Sequence, residues 1–261
     1  MQVERLARLG YTAKGIVYAI VGVLAVQAAL GTGGKTTDTK GALGTIAQQP
    51  FGKFLLALVA LGLIGYVIWC CVEVIQDPEH RSNNTKSLAR RAGYGISGIV
   101  YASLAVSAIR LIMGSDSGGS STNSAQGWTA RLLSQPFGQW LVGFIGALII
   151  GFGFYEFYRA YKAKFRNQLK LNQMSPTQET WAMRISRFGL AARGVVFVMI
   201  GFFLIQAARQ SDASAARGLD GALATLAQQP YGPWLLGIVA LGLVAYAIYM
   251  WLQARYRRIN A

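Results

Sequence analysis

Charge is what this sequence has least of. Only 13% of its 261 residues are charged while 53% are hydrophobic, where a soluble protein carries roughly 25% charged residues. A water-facing surface of ordinary size cannot be built from so few charges, so a soluble domain is excluded as the simplest reading. Cysteine is nearly absent. The two present, Cys70 and Cys71, are adjacent in an apolar run, and neighbours on a helix point in different directions, which rules out a disulfide framework. One histidine, His80, stands alone in the loop Asp77-Pro78-Glu79-His80, too little for a zinc site. There is no G-x-S-x-G, no P-loop and no paired histidine motif. The glycines of 31–34 and 118–119 lack the strand–helix context of a nucleotide site. No enzyme activity and no cofactor are therefore expected.

What is present is long apolar runs. A helix needs roughly 20 mostly apolar residues to cross the hydrocarbon core. Six segments approach that length: Gly15–Leu30, Phe54–Ile75, Gly98–Met113, Trp140–Tyr155, Gly194–Ala208 and Trp234–Leu252. The first of each pair reaches full length with the preceding turn, 10–14, 93–97 or 189–193. The runs are continuous, whereas barrel strands alternate apolar and polar residues. The first run, led by Arg5, Arg8 and Lys14, has the outline of a signal peptide. The same outline recurs twice deeper in the chain, so it is read as a structural unit.

The chain repeats itself three times. Leu9-Gly10-Tyr11-Thr12-Ala13-Lys14-Gly15-Ile16-Val17-Tyr18 returns as Ala92-Gly93-Tyr94-Gly95-Ile96-Ser97-Gly98-Ile99-Val100-Tyr101 and as Phe188-Gly189-Leu190-Ala191-Ala192-Arg193-Gly194-Val195-Val196-Phe197. The second run of each copy opens with Gln49-Pro50-Phe51-Gly52, Gln135-Pro136-Phe137-Gly138 or Gln229-Pro230-Tyr231-Gly232. Proline suits a helix start, where its missing N–H would be unsatisfied anyway, and the aromatic suits a headgroup-level belt. Before each turn lies a short segment such as Gly41–Gln48 or Gly221–Gln228 with one apolar face. It is expected either to lie on the membrane surface or to pack on the bundle.

The expected fold is all-α: a polytopic membrane protein of six transmembrane helices in three parallel hairpin repeats, over 1–80, 81–172 and 173–261. A pseudo-threefold bundle satisfies the repeat, and so does a linear packing. Gly15 and Gly22, and Gly194 and Gly201, are each seven apart and share a helix face, which favours close helix approach.

Lysine and arginine concentrate on the side of the termini. Positive charge in short loops stays cytoplasmic, so both termini are expected in the cytoplasm, with the Gln-Pro turns facing the exterior or periplasm. This placement also accounts for the net charge of +15, and no nucleic-acid partner is expected. The basic group Arg159, Lys162, Lys164, Arg166, Arg255, Arg257 and Arg258 is expected to meet anionic lipid headgroups. An ionisable residue inside a membrane segment is a functional candidate. Glu156 is the deepest carboxylate and lies three residues from Arg159, a spacing that pairs on a helix. It is grouped with Arg110, Gln27 and Gln206 as a candidate intramembrane polar site. Lys14, Ser97 and Arg193 are equivalent across the repeats, as are Glu73, Arg159 and Gln253. Interfacial anchoring and helix-end charge are the favoured account of most of these groups.

These motifs resemble DUF1206, a family of uncharacterised bacterial membrane proteins, over nearly the whole chain. The third copy resembles it best, through Ala254-Arg255-Tyr256-Arg257-Arg258, although Gln253 stands where the family usually has a carboxylate. The middle copy departs most, with Ser97 for the basic residue and Gln126-Gly127-Trp128 in the short segment. The resemblance implies fold and topology and brings no catalytic or binding residues. The function expected is that of a structural or accessory membrane protein that binds lipid, a protein partner or its own copies. The alternative is a small channel or transporter through the pseudo-threefold centre, supported by the repeat and by clusters such as Gln49, Gln135 and Gln229.

Overall fold

A computed structural model describes residues 2–76, 85–114, 121–163, 166, 169 and 174–257. Among these there is no strand, and nine α-helices follow one plan three times: a long helix, a short one and a long one. They are α1 (Gln2–Ala29), α2 (Thr39–Ala47) and α3 (Gly52–Gln76); α4 (Thr85–Ile112), α5 (Ser121–Leu133) and α6 (Gly138–Lys162); and α7 (Pro176–Gln210), α8 (Leu219–Ala227) and α9 (Gly232–Tyr256). The six long helices are each long and apolar enough to cross a membrane.

The short helices pack on the bundle. Leu43 and Ile46 of α2 and Leu223 of α8 are buried. Each short helix leads into the same turn. In it the Gly52, Gly138 and Gly232 N–H donate to the carbonyls of Gln49, Gln135 and Gln229 at 2.8, 2.9 and 2.7 Å. Phe51, Phe137 and Tyr231 take left-handed backbone with φ near 61–64°. The following glycine is forced by space, because a Cβ on it would press into the carbonyls of the preceding short helix. The Gln and Pro side chains of all three turns are exposed.

Around the bundle the long helices run α1, α3, α4, α6, α7, α9 and back to α1, and among the described residues all neighbours share an extensive interface except α4 and α6. Three seams join different repeats: α1 with α9, α4 with α3, and α7 with α6. Each carries an edge-to-face aromatic pair at repeat-equivalent positions: Tyr18–Tyr246, Tyr101–Tyr66 and Phe197–Phe152, with centroids 4.8, 4.9 and 5.1 Å apart. Such pairs are worth about 0.5–1.5 kcal/mol each beyond buried area. Glycine lines the same seams. Gly22 faces Val244, and Gly201 and Gly146 lie against each other's carbonyl oxygens. The repeats thus surround a pseudo-threefold axis.

The intra-repeat seams break that symmetry. In the first and third repeats Gly10 and Gly189 lie on the backbones of Tyr66 and Tyr246, so that an added Cβ would come within 2.5 Å. Gly62 meets Ala13 and Gly242 meets Ala192 in the same two repeats. In the middle repeat those small positions are occupied by Ile96 and Leu148. Two bulky side chains hold the helices apart, and Gly93 and Gly151 have nothing within reach of an added Cβ. Membrane helices gain little from hydrophobicity against one another, so loss of small-residue packing suffices to open a seam.

Candidate functional site

The opening between α4 and α6 uncovers a face that the other repeats bury. Phe152 of α6 is 40% exposed, whereas its equivalents Tyr66 and Tyr246 are 4% and 1% exposed. One turn on, Tyr155 is 49% exposed and its equivalents Trp69 and Tyr249 are 0% and 1%. Ile96 and Leu148, exposed by 65% and 57%, form the apolar lips. A lateral opening, the cleft, therefore lies between α4 and α6 on the lipid-facing side.

Next along α6 from this uncovered face lies an ionic cluster. Glu156 is wholly buried on α6, with its carboxylate 3.1 Å from Arg159 and 3.3 Å from Arg193 of α7. Arg193 also donates to the Tyr246 hydroxyl at 2.5 Å and lies over the rings of Phe197 and Tyr246. Its Nε is buried without an acceptor, as is the indole N–H of Trp69. Arg159 donates to the Tyr249 hydroxyl at 3.3 Å. The two arginine side chains keep some exposure, 18% and 14%. The site lies about 9 Å inside the end of α6, from a rise of 1.5 Å per residue.

The network continues toward the termini. Gln253 donates to the Tyr249 hydroxyl, and Arg257 donates to the hydroxyls of Tyr11 and Tyr94 and to Gln253. Arg257 lies 3.9 Å from the buried Glu73. On the other side of the axis the Lys14 ammonium sits 4.9 and 4.6 Å from the ring centroids of Tyr66 and Tyr101. Its hydrogen bond is to the Tyr66 hydroxyl at 3.5 Å. Among the described residues this interior holds four cations (Lys14, Arg159, Arg193 and Arg257) against two carboxylates, Glu73 and Glu156. Burying an ion costs several kcal/mol, and a desolvated cation–π contact returns about 2. The excess positive charge calls for a counter-anion or for loss of a proton.

The structure sorts the residues expected from the sequence. The spacing of Glu156 and Arg159 does produce their ion pair. Gln27, Arg110 and Gln206 lie near the opposite ends of their helices, and Gln27 and Arg110 are exposed, so the four are not brought together. Arg159 and Arg257, expected at the headgroups, turn inward because tyrosine hydroxyls and a carboxylate meet them there. Lys162 and Arg255 are exposed, and Arg166 pairs with Glu179 at 2.8 Å. Lys164, Arg258 and the His80 loop lie outside the described residues. The sequence reading overlooked the aromatic layer and the inward turn of Lys14 and Arg193. Aligning the repeats held the signal, since each basic residue is followed four positions later by an aromatic.

DUF1206, described as a Domain of Unknown Function, matches the chain over residues 9–77, 92–163 and 188–257. The chain is similar to the uncharacterized protein YxxB of Bacillus subtilis (strain 168), at 41% identity over 258 residues, 99% of this chain and 92% of that protein. No solved structure matches it.

Proposed function

The chain belongs to the DUF1206 family, and from that premise we propose that it is a non-enzymatic accessory protein of a bacterial inner membrane that holds an anionic lipid in its lateral cleft. One observation carries the reading: the inner face of α6 is exposed at the level of partly exposed Arg159 and Arg193. An opening with apolar lips and a cationic bottom suits an amphiphile with hydrocarbon tails and an anionic head. Its depth favours a lipid of the leaflet on the side of the termini. The basic residues of that side, Arg8, Lys162, Arg184, Arg187 and Arg255 among them, support a cytoplasmic placement of both termini.

Packing favours binding over passage. Toward the turns the bundle is filled with hydrocarbon: Val21, Ala25, Leu56, Leu63, Ala108 and Leu243 are all wholly buried. Among the described residues the polar network does not extend into that half, so a channel or transporter would need a rearrangement.

Native mass spectrometry of protein taken from vesicles of mixed phosphatidylglycerol and phosphatidylethanolamine tests the proposal. The wild type is expected to retain phosphatidylglycerol selectively. Arg159→Gln should lose that selectivity. Ile96→Ala with Leu148→Gly, which gives the middle repeat the small residues of the other two, should close the cleft and reduce retention. Equal retention of both lipids by the wild type would overturn the reading.

A further inference from the structure

Two residues before the first glycine of each repeat stands an arginine: Arg8, Arg91 and Arg187. The first two are engaged by the neighbouring repeat. Arg8 donates to the carbonyls of Ala254 and Arg255 at 2.9 and 2.7 Å, at the end of α9. Arg91 donates to the carbonyl of Val74 at 2.6 Å, at the end of α3. Both answer last-turn carbonyls that have no partner within their own helix. Val74, Ala160 and Ala254 stand equally far beyond the turn proline of their repeats, so the same bond at the α6–α7 seam would join Arg187 to Ala160. It is not made. Among the described residues the exposed Arg187 has no hydrogen-bond or ion-pair partner.

The freed guanidinium lies on an open groove of about 660 Å³ between α6 and α7, lined by Phe157, Ala160, Tyr161, Arg187, Phe188 and Ala191. Arg187 also lines an adjoining groove of about 450 Å³ along α7, together with Arg184 one turn away. The carboxylate of that groove, Glu179, is held by Arg166 at 2.8 Å, which leaves the two arginines in excess. The C-terminal end of α6 adds about half a negative charge, too little to cancel them. Ala160 is two residues short of the end of α6, about 3 Å along the axis, so the groove opens at headgroup level. We infer that it seats an anionic phospholipid of the leaflet on the side of the termini, with its phosphate between Arg184 and Arg187 and the start of its acyl chains against Phe157 and Phe188. Guanidinium forks match phosphate oxygens bidentately. A zwitterionic head would bring its own ammonium beside two arginines, so the anionic head is preferred. The groove lies on the other flank of α6 from the cleft and shares no residue with it. It therefore stands whether or not the cleft holds lipid.

Arginine footprinting tests the site in place. The full chain is reconstituted in lipid nanodiscs of phosphatidylcholine, with or without phosphatidylglycerol. It is treated with phenylglyoxal, and modification of each arginine is read by mass spectrometry. Phosphatidylglycerol is expected to slow modification of Arg184 and Arg187 about tenfold, the worth of one charge-assisted hydrogen bond. Arg5 and Arg255, exposed on the same side, should keep their rates. Equal slowing of all four would show only the field of an anionic membrane and overturn the site, as would no slowing at all. Inorganic phosphate that protects the pair in phosphatidylcholine discs as strongly as phosphatidylglycerol does would assign the groove to a soluble anion and overturn the lipid. Arg159→Gln, which disables the cleft, should leave the protection intact. Its loss in that variant would mean one lipid serving both places and would overturn a separate site. The groove is open and its lipid exchanges, so it adds nothing to the retention measured for the cleft. In lipid-free detergent, Arg8→Gln and Arg91→Gln should lower the unfolding midpoint by removing a helix cap, and Arg187→Gln should not. An equal fall would place Arg187 on Ala160 and overturn the proposal.

Discussion

Glu156 holds two arginines from two helices, and its environment sets what removing it does. With the carboxylate wholly buried and Arg159 and Arg193 at 3.1 and 3.3 Å, Glu156→Gln leaves two guanidiniums facing a neutral amide. Breaking a buried ion pair from one side typically costs about 3–5 kcal/mol. The two arginines keep some exposure and hold Tyr246 and Tyr249, so the lower end of that range is expected. Denaturant unfolding in detergent measures it, and a loss below about 1 kcal/mol would mean that the pair is solvated like a surface bridge. Half of this cluster was legible in the sequence. The Glu156–Arg159 pair follows from a three-residue helical spacing. Arg193 does not, because its place depends on the α6–α7 seam, and no local pattern says which helices of a repeat protein become neighbours. The inward turn of Arg257 was hidden for a similar reason: its hydroxyl partners, Tyr11 and Tyr94, come from the first two repeats.

At the scale of the helix, one substitution at three equivalent positions separates packing from propensity. Gly189→Ala puts a methyl group within 2.5 Å of the Tyr246 backbone, and overpacking of that kind costs about 1–3 kcal/mol. Gly10→Ala meets Tyr66 in the same way. Gly93→Ala meets nothing, so helix propensity alone acts, worth up to about 1 kcal/mol in favour of alanine. Thermal unfolding of the three variants should therefore show two falls and one unchanged or raised midpoint. Three similar falls would place α4 against α6 as firmly as the other hairpins. The six long helices, their turns and the threefold repetition were readable because runs of apolar residues and the Gln-Pro-aromatic-Gly turns are local signals. The short helices turned out to pack on the bundle, one of the two placements their apolar faces allowed. The open seam was also written in the chain, as Ile96 and Leu148 against Ala13–Gly62 and Ala192–Gly242, but those residues gain meaning only once the seam positions are known.

For the molecule as a whole, the account joins a symmetric frame to one asymmetric opening. Equivalent aromatic pairs at three inter-repeat seams set the frame. The middle repeat's bulky lips open it, and the uncovered face lies at the level of the excess positive charge. The stability of the ion network follows from that arrangement, and the proposed lipid selectivity rests on it. Disulfide cross-linking in native membranes, in a background without Cys70 and Cys71, tests it most directly. Cysteines at 29 and 237 and at 143 and 208 replace positions where the built Cβ of Gly237 or Gly143 lies 3.8 Å from an alanine Cβ. That separation suits a disulfide, so both pairs should cross-link as controls for the inter-repeat seams. The decisive pairs are 13 with 62, 192 with 242, and 96 with 148, one for each hairpin. The account predicts cross-linking of the first two, whose Cβ atoms would stand 2.5 and 2.2 Å apart and reach disulfide distance by a helix shift of about 1–2 Å, and none of the third. Cross-linking of 96 with 148 at the rate of the others would contradict it.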